Sequence, residues 1–205
     1  MKYKDIKRNS VTYLNTIIKN SNFNKTDKIK LIIKFYIPQI NELIIDNNDK
    51  YKVSEDNITI DMINNTYNKR SHYLAVNIRT ELFRFNLEEQ FNNCGILVST
   101  DTNVNIAKKG IGTLLHAIKE DIAYVFNYSA MMYTDKYNET YKSFNNKIFE
   151  DVGLTKIYSI MNKRNYGMIA IWINDITTKY QQMFKQEQLE LETIKQKTLT
   201  LEELA

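Results

Sequence analysis

Cysteine, histidine, proline and glycine are all scarce in this chain, and the shortage of the first two excludes whole classes of site. A single cysteine, Cys94, rules out an internal disulfide and fits a reducing compartment. With only His72 and His116 beside it, a Cys/His structural zinc site lacks ligands, so no metal is expected. No stretch approaches the roughly 18 consecutive apolar residues of a membrane-crossing helix. The opening Met1-Lys2-Tyr3-Lys4-Asp5 lacks the apolar core of a secretory signal, so the expectation is a cytoplasmic protein with no membrane partner. Positive charge is in modest excess, 28 Lys and Arg against 24 Asp and Glu. It is spread out rather than clustered, and a nucleic-acid partner is not expected.

What is plentiful is Asn, Ile, Lys and Tyr. Such a bias is what an AT-rich coding sequence produces, as in a low-GC bacterium or its phage. Over 205 residues, 43% hydrophobic and 25% charged, the composition is still that of a globular protein with one sizeable core plus extensions.

Read in order, the chain opens with two helices. Val11, Leu14, Ile17 and Ile18 form a short apolar face. Thr26-Asp27 is the expected cap of a longer helix, with Ile29, Ile32, Ile33, Tyr36, Ile37, Ile40, Leu43 and Ile44 on one stripe. Pro38 predicts a kink or a division near Ile37, because its ring clashes with the carbonyl four residues back. From Lys50 the apolar period shortens to two. Ile58, Ile60 and Met62 predict a strand over Asn57–Ile63, and Leu74, Val76, Ile78, Thr80 and Leu82 a second over Leu74–Arg84. The latter run also fits a helix through Leu74, Ile78, Leu82 and Phe85; its β-branched content favours the strand.

From Asn93 to Asn174 the punctuation is densest. An apolar run, Gly95–Ser99, is followed by a polar loop and then by Ala107-Lys108-Lys109-Gly110-Ile111-Gly112-Thr113. That turn opens an amphipathic helix with Leu114, Leu115, Ile118 and Ile122 on one face. This order lets backbone N–H groups at a helix start face a phosphate, with the helix dipole favouring the anion. Tyr128–Tyr133 predicts another strand. Tyr137, Tyr141, Phe144, Ile148 and Val152 share a helical face that Gly153 stops, and strands follow at Leu154–Met161 and Tyr166–Asn174.

This order resembles the core of the GNAT acetyltransferase superfamily. In that family a strand leads into an [Arg/Gln]-x-x-Gly-x-[Gly/Ala] turn and a helix that hold the pyrophosphate of acetyl-CoA. A strand follows, then a helix ending like Phe-Tyr-Glu-Lys-Leu-Gly-Phe, then two antiparallel strands. Here the motifs read Ala107-Lys108-Lys109-Gly110-Ile111-Gly112 and Ile148-Phe149-Glu150-Asp151-Val152-Gly153-Leu154. The resemblance implies an α/β fold, a GNAT-like mixed central sheet flanked by helices. It also implies acetyl-CoA as cofactor, held by Leu97, Val98, Lys108, Lys109, Gly110, Ile111, Gly112 and Thr113. Two residues depart from the pattern. Ala107 replaces the Arg or Gln, and Phe149 replaces the Tyr that often serves as general acid. Tyr133, Tyr137 or Tyr141 is then the stand-in acid to consider, and Glu81, Asp101 or Asp135, near strand ends, the base. Cys94 reads as a small buried hydrophobe, and His116 as exposed or hydrogen-bonded rather than catalytic.

Asp175–Ala205 has no Gly or Pro and is rich in Gln, Glu, Lys and Leu. Tyr180, Phe184, Leu191, Ile194 and Leu201 follow a 4–3 spacing that Glu187 and Thr198 interrupt. The expected organisation is a domain over 1–174, with a helical part over 1–49 and strands and motif helices over 50–174. A long C-terminal helical extension over 175–205 follows, lying on the domain, a partner or its own copy, and so serving a homo-oligomer or protein assembly. Two functions compete: an acyl-CoA-dependent N-acyltransferase with impaired catalysis, and a non-catalytic GNAT-fold structural or interaction protein, for example a phage virion-associated or assembly component.

Overall fold

The computed structural model describes residues 11–44, 49–62, 74–89, 95–105, 110–137, 149–162 and 167–202. The strands are β1 (Thr59–Met62), β2 (Ala75–Arg79), β3 (Phe83–Glu89), β4 (Ile96–Val104), β5 (Ala130–Tyr137), β6 (Thr155–Asn162) and β7 (Gly167–Asp175). Among the described residues they form one mixed sheet of seven in the order β1-β2-β3-β4-β5-β7-β6. Only β4 and β5 run parallel among the described residues, and every other pairing there is antiparallel. The helices are α1, in which Val11–Tyr13 continues as a π-helical Leu14–Lys19, then α2 (Lys25–Glu42), α3 (Ile111–Val125) and α4 (Ile176–Glu202). No helix among the described residues is long and apolar enough to cross a membrane.

Three expectations change in the first half. The cap of α2 is Asn24, two residues before Thr26: its Oδ1 accepts from the Asp27 amide at 2.8 Å. A cap of this kind contributes about 1 kcal/mol. Pro38 does not divide α2, which runs unbroken to Glu42. Pro38 and Lys34 are both exposed, so the carbonyl that proline leaves unbonded lies towards water. The single strand expected over Leu74–Arg84 is two strands of a hairpin, so four strands rather than three precede the glycine turn. Thr80 makes the reversal: its Oγ1 accepts from the amides of Leu82 and Phe83, both at 3.1 Å, and its own amide donates to the Phe83 carbonyl at 2.7 Å.

The core lies between one face of the sheet and the helices. Ile29, Ile32, Ile33, Tyr36 and Ile40 of α2 are buried, as are Val76, Ile78, Phe83, Phe85, Leu87 and Leu97 of the sheet. A fully buried side chain of this size contributes about 2 kcal/mol over an exposed one. Helix α3 is buried around its whole circumference from Leu114 to Ala123. Ile176 and Tyr180 put the first turns of α4 into the same core, just past the boundary expected at residue 174. Gly153 ends the helical residues 149–151 as expected. At φ +83° it lets the Leu154 amide reach the Phe149 carbonyl at 2.9 Å and its own amide the Glu150 carbonyl at 3.0 Å. Tyr137, expected on that helix, is instead the last residue of β5 because it pairs with Met168 of β7; Tyr141, Phe144 and Ile148 lie outside the described residues.

Candidate functional site

The parallel pair is short. β4 and β5 are in register only from Ile96↔Ala130 to Ser99↔Tyr133. Beyond Ser99 the ladder with β3 skips a residue, Leu87 facing Ser99 and Asn86 facing Asp101, so Thr100 is a bulge. β4 then follows β3 to Val104, while β5 follows β7 to Tyr137. The two strands part there as a fork, with the buried Leu97 and Val98 at its base.

After β4 the chain enters α3 through Gly110, at φ +105° in left-handed backbone. A Cβ there would lie 3.2 Å from Leu43 Cδ1, so glycine answers both a strained conformation and close packing against the end of α2. The Leu114 amide bonds the Gly110 carbonyl at 3.0 Å. Ile111, Gly112 and Thr113 therefore supply the amides with no partner inside the helix. A strand, a glycine-led helix, a parallel strand, a Gly153-terminated turn and two antiparallel strands follow one another as the resemblance requires. The fold is GNAT-like.

Solved structures similar to this chain include acetyltransferases. The ribosomal-protein-S18-alanine N-acetyltransferase of Escherichia coli shares 10% identity over 58% of this chain and 94% of its own, with a TM-score of 0.42. A spermidine N-acetyltransferase chimera from Vibrio cholerae shares 8% over 60% and 98%, at 0.45. A Bacillus anthracis acetyltransferase in complex with acetyl coenzyme A shares 15% over 56% and 69%, at 0.41. No protein-family model matches the chain, and no curated protein does. At such distances the substrates of those enzymes remain theirs.

The structure brings only some of the expected site residues together. Tyr133 closes the last register pair of the fork and is buried; its hydroxyl donates to Met131 Sδ at 3.3 Å. Its ring lies 5.6 Å from that of Phe149 and 4.7 Å from that of His116, which is itself 5.2 Å from Phe149. Burial, and secondarily Glu120, hold the Tyr133 phenol well above its ordinary value, so it stays protonated. Glu81 is exposed in the β2–β3 turn, where its carbonyl accepts from Asn105 Nδ2 at 2.6 Å. Asp101 is exposed and paired with Arg84 at 3.5 Å. Asp135 and Tyr137 lie on β5 beyond the fork. Cys94, Ala107, Lys108, Lys109 and Tyr141 lie outside the described residues.

A polar row on α3, reaching the fork through His116 and Lys119, was given no functional role in the sequence reading. His116 is buried rather than exposed, its Nδ1 has no hydrogen-bond partner, and burial followed by the charges of Lys119 and Lys179 pushes it well below its usual range. Lys119 is 1% exposed; its Nζ donates to Ser99 Oγ at 3.0 Å and Thr102 Oγ1 at 2.5 Å. Burial lowers it to about 7, Asp101 acting the other way. Glu120 is pushed up to about 7 by burial, although Lys179 at 3.1 Å and the Asn174 amide stabilise its charge. Asp121 accepts from the hydroxyls of Tyr36, at 2.5 Å, and Tyr180. In sequence, His116, Lys119, Glu120 and Asp121 read as the wet side of an amphipathic helix. The available signal was the surplus of apolar stripes on α2 and α4, both of which need a neighbour to cover.

Proposed function

We propose that this chain is a GNAT-like acyltransferase that takes an acyl-CoA thioester between β4 and β5. The observation that carries this reading is the fork, a parallel pair that parts at a bulge and leads into a glycine-started helix. The donor set fits such a group. The amides of Ile111, Gly112 and Thr113 suit the pyrophosphate, with Lys108 and Lys109 expected to add charge, and the parted edges beside Leu97 and Val98 suit the amide-bearing pantetheine arm. Bound there, the acyl-CoA supplies an activated thioester carbonyl.

The chain's own part is to orient that carbonyl and keep water from it. Leu97, Val98, Met132 and Tyr133 form a buried base to the fork, and the bulged backbone at Thr100 supports a donor for developing negative charge on the carbonyl oxygen. Phe149 stands at the position of the family's acid and has no proton to give. That residue favours a second reading, a non-catalytic GNAT-fold interaction protein such as a phage virion-associated or assembly component.

Calorimetric titration with acetyl-CoA separates the two. Micromolar binding, about 8 kcal/mol, that is lost in Gly112→Glu would support the cleft, because the carboxylate would bring bulk and negative charge to the phosphate-binding amides. No heat at millimolar acetyl-CoA with folded protein would favour the interaction protein. The outer half of α4 leaves Leu189, Leu191 and Ile194 exposed, which supports assembly through this helix with a second copy or another protein. Deleting residues 186–205 is then expected to lower the mass measured by light scattering. An unchanged mass and solubility would make the helix a solvated extension.

A further inference from the structure

Lys119 stands where the fork meets helix α3, and its surroundings are unlike those of an ordinary buried lysine. Its Nζ is held by two hydroxyls, Ser99 Oγ and Thr102 Oγ1. The bulge at Thr100 lets these two residues, three apart in sequence, reach one amine from the same strand. The other neighbours are the rings of Phe85 and Tyr133, with centroids 5.2 Å and 5.5 Å from Nζ. No carboxylate is hydrogen-bonded to it among the described residues, and Asp101, the acid that acts on it from a distance, is engaged by Arg84. A neutral amine has two N–H bonds and one lone pair. Giving both N–H groups to the two hydroxyls leaves the lone pair uncommitted. Ser99 is the last β4 residue paired with β5, so this nitrogen sits where the strands part.

We infer that Lys119 is an acyl acceptor, its Nζ taking the acyl group of a thioester held in the β4/β5 fork to give one acyl-lysine per chain. This rests on the acyl-CoA reading of the fork. The step balances with no third reactant. The Nζ lone pair attacks the thioester carbonyl carbon, the C–N bond forms and the C–S bond breaks. The sulfur leaves as a thiolate and takes the proton that the nitrogen sheds, so the products are an amide and free CoA thiol. No separate base is needed, because burial holds the amine at about 7 and it is largely unprotonated above neutral pH. The groups facing it leave that state in place: His116 of α3 and Tyr133 of β5 are held neutral, β3 presents Phe85, and only Asp101 of β4 opposes. No separate acid is needed either, so Phe149 is no obstacle to this transfer. The amide does not turn over, and acylation is a single event that permanently removes the basic amine of Lys119.

The test is intact-mass analysis of the full chain incubated with acetyl-CoA, followed by peptide mapping. The expected result is a gain of one acetyl group, located on Lys119, while Lys119→Met gains none at that position and still binds acetyl-CoA in the calorimeter. Binding without modification of Lys119, or acetyl groups scattered over exposed lysines with Lys119 bare, would overturn the inference and leave the cleft standing. Absence of binding would sink both. A second readout needs no transfer at all. In protein with 13C-labelled lysine, one Cε resonance should titrate near neutral pH and vanish in Lys119→Met. If every lysine titrates in the ordinary range, the neutral nucleophile does not exist and the inference fails.

Discussion

Replacing Lys119 with methionine separates the charge of the buried amine from its bulk. Met is close in volume and fills the channel between Phe85 and Tyr133. Ser99 Oγ and Thr102 Oγ1, already 3.5 Å apart, can bond to each other once the amine is gone. What changes is the coupling of stability to pH. The folded protein holds Lys119 at about 7 against its ordinary value of 10.5, so unfolding takes up a proton anywhere between those values. Raising the pH in that window opposes proton uptake and therefore stabilises the native state. Below about 7 both states carry the proton and the dependence disappears. Each pKa unit corresponds to about 1.36 kcal/mol. Integrated from about pH 6 to about pH 9, this one group should make the wild type more stable by about 2–3 kcal/mol, a gain the methionine variant lacks. Urea unfolding of both proteins across that range, read as the difference in extrapolated free energy, measures it directly. If the two stability curves stay parallel, the buried amine is not perturbed and the reasoning about its protonation is wrong.

Gly110→Ala should destabilise the fold by about 1–2 kcal/mol in urea melts, because the new Cβ meets both left-handed backbone and Leu43. A neutral result would mean the turn can relax away from φ +105°. Asp121→Ala leaves the hydroxyls of Tyr36 and Tyr180 without their acceptor and should cost about 3 kcal/mol. It should also speed amide exchange at the start of α4 more than in β2 and β3, whereas a uniform change would mean α4 is not held through Asp121. Phe149→Tyr restores a hydroxyl beside Tyr133 and His116 and should raise thiol release from acetyl-CoA about a hundredfold in the presence of an amine acceptor. An unchanged rate would show that this ring does not occupy the acid's place.

The strands and helices could be read from the sequence wherever the apolar period was clean. Leu97 and Val98, the Gly110 start and the Gly153 stop were all visible because each has a local cause. The β2–β3 hairpin was hidden because its turn, Thr80-Glu81-Leu82, contains no Gly, Pro or Asn and continues the alternation into Leu82. A threonine hydroxyl makes that reversal, and composition does not mark it. The polar row of α3 was hidden for a different reason. Period analysis assigns polar residues to solvent, and it takes the packing of α2 and α4 over the same helix to turn them inward. His116 and Lys119 thus came to the site through tertiary context alone, while Tyr133 entered the sequence reading only as one of three tyrosines considered in place of the Phe149 acid.

The polar row also binds distant parts of the chain to one another. The Asp121 carboxylate is shared by Tyr36 and Tyr180, and Glu120 by Asn174 and Lys179. During synthesis these donors emerge in a fixed order, with Lys179 and Tyr180 last. Until they leave the ribosome, two carboxylates at the centre of the molecule lack Lys179 and Tyr180, and a low-dielectric interior cannot readily close over them. A nascent chain stopped before residue 180 can therefore form its local helices and hairpins but not its final core. The start of α4 is thus the closing step of folding, and truncation there should yield protein that chaperones retain and proteases clear.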